Sequence, residues 1–183
     1  MDLLEDRNRI YIVQELIMDG NLLEALDHIS EQNISFTERD AANLIEKILK
    51  GLNYIHYSGY IHRDIKLENI MVIKVQDEEG RTVFQPSITD FGMAKAIKED
   101  GKETLPVGTP LFMAPEILAQ QPYDQKVDIW ALGILVHVLL TSEVPFDASS
   151  LDELKMMIRK NDLNMAPLSV FHEGGEMVKD FIK

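Results

Sequence analysis

Four side chains set the chemistry this sequence can support: Asp64, Lys66 and Asn69 fall within one run of six residues, and Asp90 follows in Asp90-Phe91-Gly92. A phosphoryl group in transit spreads negative charge over its oxygens. A protein that moves one must therefore orient the attacking hydroxyl, neutralise phosphate and hold magnesium. Asp64 can accept or orient a hydroxyl proton, Lys66 can offset phosphate charge, and Asn69 with Asp90 can offer oxygens to a hard cation. Two such ligands suffice, because Mg2+ keeps several waters and usually takes one or two carboxylates beside the substrate phosphates. The competing account, a surface ion pair between Asp64 and Lys66, would contribute little.

These residues need a loop leaving a helix, with Asn69 and Asp90 brought together from a distance. Arg9 to Ile17 is rich in β-branched and aromatic residues and predicts a strand, ended by the turn Asp19-Gly20-Asn21. Leu22, Leu23, Leu26 and Ile29 recur at helical spacing and predict a short helix ending between His28 and Glu31. Ser35-Phe36-Thr37-Glu38 has the form of a capping box, ahead of an apolar stripe of helical period through Leu44, Ile45, Ile48, Leu49, Leu52 and Ile55. That helix delivers the chain to Asp64. Ile70 to Val75 and Arg81 to Ile88 predict two strands joined by a turn over Gln76 to Gly80. Antiparallel pairing then places Asn69 and Asp90 together at the ends of one hairpin. Beyond them, Asp124 to Asp128 opens an apolar helix, Ser149 to Lys160 predicts a surface helix, and a last helix is expected near Glu173.

The 183 residues, 45% apolar, allow one compact domain with a real core. Cysteine is absent, which excludes disulfides and thiolate metal sites. Met1 to Arg7 lacks the basic segment and apolar core of a secretory signal, so the cytoplasm or nucleus is the expected compartment. The longest apolar stretch, Ile129 to Leu140, is interrupted by His137 and falls short of the roughly 20 residues that cross a bilayer. A net charge of -13 argues against nucleic acid and anionic membrane as partners, since both reward lysine and arginine. It suits a basic peptide, with acidity for solubility alone as the competing account.

The order of further motifs identifies a relationship. His62-Arg63-Asp64 with Asn69, Asp90-Phe91-Gly92, Gly108-Thr109-Pro110 running to Ala114-Pro115-Glu116, and Asp128-Ile129-Trp130-Ala131-Leu132-Gly133 stand in register. Together they resemble the eukaryotic protein kinases. Lys66, two residues after Asp64, and Gly108-Thr109-Pro110 are similar to the serine/threonine type, and the long hairpin over 70–88 to the calcium/calmodulin-dependent group. The resemblance implies an α+β fold, a mainly helical kinase-like C-terminal lobe with short β-hairpins. Residues 9–17 would be the end of the small lobe and the hinge, and 18–183 a truncated large lobe, with the small lobe otherwise missing.

The same resemblance assigns roles. Asp64, Lys66 and Asn69 would be catalytic, with Asn69 and Asp90 holding Mg2+. Glu15, Ile17, Lys66, Glu68, Asn69, Met71 and Asp90 would serve ATP, the backbone of Glu15 and Ile17 meeting adenine and Met71 flooring the ring. Gln14 would be the gatekeeper beside them. Glu68 would also read an arginine on a peptide substrate, although Asn21 stands where many such kinases have a second acid. His62 and Phe91 would join an internal apolar stack, and Asp128 would anchor the loop amides. Arg63 would bind a phosphate on the activation segment, with Thr104 the nearest acceptor and Thr109 in the peptide-binding part. Glu116 would pair with an arginine not found in the chain. Two functions follow: a Mg-ATP-dependent protein serine/threonine kinase represented by a partial domain, or a non-catalytic kinase-like module that binds peptides or partner proteins.

Overall fold

The structure, a computed structural model, describes residues 2–31, 37–97, 103–160 and 162. A hairpin comes first, β1 (Asp2–Glu5) antiparallel to β2 (Ile10–Val13). Asp6 builds its turn by accepting the amides of Asn8 and Arg9 at 2.8 and 2.9 Å. The strand expected over Arg9 to Ile17 is therefore too long. Its last ladder pair is Val13 with Asp2, and residues 14–18 lie outside any strand, so Glu15 and Ile17 are on irregular backbone. β1 itself was not foreseen.

The chain then turns at Gly20 into α1 (Leu22–Glu31), which opens on a reciprocal cap. Asn21 Oδ1 accepts the Glu24 amide at 3.0 Å and Glu24 Oε2 accepts the Asn21 amide at 3.1 Å. Helix α2 (Glu38–Tyr57) also has a capping box, but it is formed by Thr37 and Asp40 rather than by Ser35 and Glu38. An aspartate at the third helical position can reach back to the cap as a glutamate does; Ser35 lies outside the described residues. The stripe Ala41, Leu44, Ile48, Leu52 and Ile55 is buried, and the helix stops at Ser58-Gly59, where Gly59 takes a φ of +83°.

Strand β3 (Tyr60–Ile61) follows at once. The predicted hairpin is present as β4 (Ile70–Gln76) with β5 (Thr82–Ile88), Ile70 opposite Ile88. Strand β6 (Lys95–Ala96) returns to pair with β3. Among the described residues three two-stranded sheets result, each short, while the bulk is carried by α1, α2 and three later helices: α3 (Pro115–Leu118), α4 (Lys126–Thr141) and α5 (Leu151–Lys160). The helix expected near Glu173 lies outside the described residues.

The core sits where the α2 stripe meets Ala131, Leu132, Leu135, Val136 and Leu139 of α4, with Ile65, Leu67, Ile70 and Val72 closing the same cluster. Each buried leucine or isoleucine stabilises by about 1.5–3 kcal/mol relative to exposure, so the loop between β3 and β4 is clamped from both ends. No described helix is long and apolar enough to cross a membrane.

Candidate active site

The loop from His62 to Lys66 starts with an uncommon backbone. Arg63 has a φ of 71°, in the left-handed region that a residue with a Cβ adopts only when its surroundings demand it. The demand comes from Asp128 in the first turn of α4. Its Oδ1 accepts the Arg63 amide at 2.8 Å, its Oδ2 accepts the His62 amide at 2.9 Å, and His56 Nε2 stands 2.8 Å from Oδ2. Asp128 is 1% exposed, and a charge so buried persists only with such donors around it. The expected anchoring of the loop amides by Asp128 is thus present in the geometry.

Asp64 is fully engaged. Thr109 donates its hydroxyl to Oδ1 at 2.8 Å, Asn69 Nδ2 donates to Oδ2 at 2.9 Å, and Lys66 Nζ stands 3.1 Å from Oδ2 and 3.0 Å from Thr109 Oγ1. Burial pulls this carboxyl upward, but the hydrogen bonds from Thr109, Lys66 and Asn69 and the Lys66 charge outweigh it and hold the carboxyl below its ordinary value. Asp64 is an anion at neutral pH, aimed at the segment that carries Thr109.

Asn69 and Asp90 stand at the two ends of the hairpin. The Thr89 amide donates to the Asn69 carbonyl at 2.9 Å, extending the β4–β5 ladder by one pair and bringing Asp90 alongside. Asn69 spends its Nδ2 on the Asp64 carbonyl and carboxylate, and among the described residues nothing donates to its Oδ1. Asp90 adopts a left-handed backbone at φ 60° and accepts the Gly92 amide on Oδ1, and among the described residues Oδ2 has no partner. Two free oxygens of hard character fit Mg2+ beside substrate phosphates. Among the described residues no cluster of three His, Cys, Asp or Glu could hold a metal instead.

The residues expected to serve ATP are less gathered. Met71 is half-buried on the face of β4 opposite Ile70 and Val72, and it bridges to Asn21, while the Val72 amide donates to the Gly20 carbonyl at 3.0 Å. The irregular stretch of Gln14, Glu15, Leu16 and Ile17 is thereby led toward β4. Gln14 and Glu15 are exposed and Ile17 is half-buried. Glu68 is exposed on the single turn Leu67–Asn69. Phe91 corrects an expectation: it is 49% exposed and meets His62 edge-on at 5.0 Å, so only His62, at 0%, is internal. Thr104 donates its amide to the Glu103 carboxylate at 2.7 Å.

The protein kinase domain family model matches residues 1–183. The chain belongs to the protein kinase domain family. This kinase domain is 36% identical over 183 residues to calcium/calmodulin-dependent protein kinase type 1 of Macrobrachium nipponense, covering 100% of this chain and 50% of that protein. It is 33% identical over 184 residues to serine/threonine-protein kinase 33 of Bos taurus, covering 98% of this chain and 36% of that one. Against serine/threonine-protein kinase H2 of Homo sapiens it is 36% identical over 187 residues, covering 100% and 45%. The chain spans half or less of the length of these relatives.

Sequence reasoning missed three residues of this kinase domain's site. His56 closes the α2 helix and reaches Asp128 from 72 residues away; its pattern position gave no hint beyond lying one residue after the buried Ile55. Glu103 and Tyr123 pair as an isolated antiparallel bridge beneath Arg63. A tyrosine following Gln121-Pro122 was a findable signal, since a buried phenol needs a partner for its hydroxyl.

Proposed function

We propose that this kinase domain acts in a protein serine/threonine kinase that transfers the γ-phosphate of ATP to a peptide hydroxyl. The observation that carries the reading is the Asp64–Thr109–Lys66 triangle, with every edge between 2.8 and 3.1 Å. It puts an anionic oxygen, a cation and the edge of the Gly108 to Pro115 segment around one point. Asp64, held low in pKa, is a weak base; its part is to orient the hydroxyl of the incoming serine or threonine and take its proton late in transfer. Lys66 offsets the charge of the phosphoryl oxygens. Asn69 Oδ1 and Asp90 Oδ2 would hold Mg2+, which would supply positive charge to offset that of the phosphates. Backbone groups of Glu15 and Ile17 would meet adenine, with Met71 beneath it.

The reading extends to architecture and substrate. Residues 9–17 act as the hinge-side edge and 18–183 as the large lobe. The net charge of -13 and the exposed Glu68 favour a basic peptide. The test is transfer from Mg-ATP to a basic serine peptide by the full-length protein and by its Asp64→Asn variant. The variant should lose about 10²–10⁴-fold in rate while still binding Mg-ATP. Absence of Mg-ATP binding by the parent protein would sink the reading.

A further inference from the structure

The guanidinium of Arg63 faces an unusual set of partners for a cation beside an active site. Nε donates to the Met93 carbonyl at 2.6 Å and Nη1 to the Tyr123 hydroxyl at 3.2 Å, and among the described residues Arg63 makes no ion pair. Tyr123 is 3% exposed, its ring packed among Ile61, Ala114, Ile117 and Val127. Its hydroxyl, having accepted from Arg63, donates onward to the Leu105 carbonyl at 2.5 Å. Its backbone exchanges two 2.8 Å hydrogen bonds with Glu103. The Glu103 carboxylate turns back onto the amides of Thr104 and Leu105. At the far end of the segment, Gly108 lies so close to the Arg63 carbonyl that a Cβ there would stand 2.6 Å from it.

Residues 103–109 are therefore tied to the catalytic loop in two ways, through the Tyr123 hydroxyl that links Arg63 to Leu105 and through the bonds of Thr109 with Asp64 and Lys66, while the Glu103 backbone is held by Tyr123 itself. We propose that Tyr123 is the positioning residue of this segment: its hydroxyl takes the Arg63 guanidinium and hands the hold to Leu105, so that the segment presenting Thr109 to Asp64 is ordered in the unphosphorylated chain. Burial pushes the Tyr123 phenol above its ordinary value, which keeps the hydroxyl proton in place for Leu105 across the physiological range. The proposal rests on the phosphotransferase reading for its consequence, constitutive presentation of Thr109, but not for its structural content.

The experiment is amide hydrogen exchange on phosphatase-treated full-length protein, comparing the parent with Tyr123→Phe, which keeps the ring in its pocket and deletes only the hydroxyl. The parent should protect residues 103–109, and the variant should exchange there roughly tenfold faster, with α4 and the melting temperature unchanged. Arg63→Gln removes the other partner of the hydroxyl and should give the same local loss, which keeps the test usable if Tyr123→Phe fails to fold. Rapid exchange over 103–109 in the dephosphorylated parent would overturn the proposal by showing that a phosphate does the holding. So would unchanged exchange in both variants, or a uniform rise with a fall in melting temperature. Where transfer is measurable, Tyr123→Phe should raise the peptide KM and leave the ATP KM alone. A protein that shows the exchange pattern without any transfer would separate the failure of the kinase reading from that of this one.

Discussion

The loop carrying Asp64 and the hairpin of β1 and β2 are opposite solutions to placing a short segment. The loop is held by groups that arrive from everywhere: Asp128 and His56 under its amides, Thr109 and Asn69 on its carboxylate, Tyr123 on its arginine. Its strained Arg63 is affordable only because so many partners fix it. The hairpin is held almost entirely by itself, through one ladder and the Asp6 turn, and its apolar side chains face outward, with Leu3 68%, Ile10 65% and Ile12 57% exposed. Order at the site comes from long-range hydrogen bonds, whereas order at the hairpin is local. Substitutions should therefore be costly in one region and mild in the other.

The largest expected effect is at Asp128. Asp128→Ala leaves the buried His62 amide and the half-buried Arg63 amide without acceptors and His56 without its partner, and it should cost about 4 kcal/mol in chemical denaturation. Activity should fall further than stability, because the same amides set the backbone of Arg63 and Asp64. A loss under 1 kcal/mol would mean that the loop finds other acceptors and is not anchored as described.

Gly108→Ala comes next. The position needs a φ of +119°, which a side chain rarely adopts, and the added Cβ would meet the Arg63 carbonyl, a backbone atom that cannot swing away. About 3 kcal/mol is expected from strain and overpacking together, read as a shift in the denaturation midpoint. An equal loss in Gly59→Ala would show that the φ alone is responsible, since Gly59 has a similar requirement but open space around it.

A smaller effect is expected from pH. The folded protein holds the Asp64 carboxyl below its ordinary value of 3.8. Its contribution to stability is therefore full above that value and is lost as pH falls below it, through the folded pKa. Denaturation measured at pH 5 and at pH 3 should show a steeper acid loss in the parent than in Asp64→Asn, where nothing titrates. Parallel losses would indicate that the hydrogen bonds of Thr109, Lys66 and Asn69 do not favour the anion.

The contrast also explains which parts of the molecule were legible in the sequence. Helices α1 and α2 announce themselves through periodicity and α4 through its apolar run; the buried face of α2 follows its stripe, whereas in α1 Leu23 is exposed and Ala25 is buried beside Leu22. The placement of Asn69 and Asp90 at the two ends of one hairpin was legible too, since Thr89, just before Asp90, pairs with Asn69. The capping residue of α2 was misplaced by two positions because Asp40 and Glu38 are both acids near the helix start, and only the backbone decides which one reaches Thr37. β1 was missed because Leu3 and Leu4 alone make no pattern, and β2 was overextended because strand propensity continues through Leu16 although the partner strand does not. Tyr123 and His56 escaped because their roles depend on contacts across 60 and 72 residues, which no local pattern encodes.

The mildest substitutions should lie in the hairpin and the stretch after it, and they sharpen the comparison from the other side. Ile10→Thr and Leu16→Gln replace side chains that are 65% and 79% exposed. Threonine keeps the β-branch that suits a strand, so neither change removes packed apolar contact, and each should alter stability by less than about 0.5 kcal/mol. Their effect should instead be on self-association, since β1 and β2 present a short ladder with open edges and a contiguous apolar surface, the combination that invites pairing with another chain. Light scattering of the concentrated protein should fall in the double variant while its denaturation midpoint stays put. A midpoint that dropped by more than 1 kcal/mol would mean that the hairpin is packed against the body of the protein, and the division between a region ordered from afar and a region ordered by itself would no longer hold.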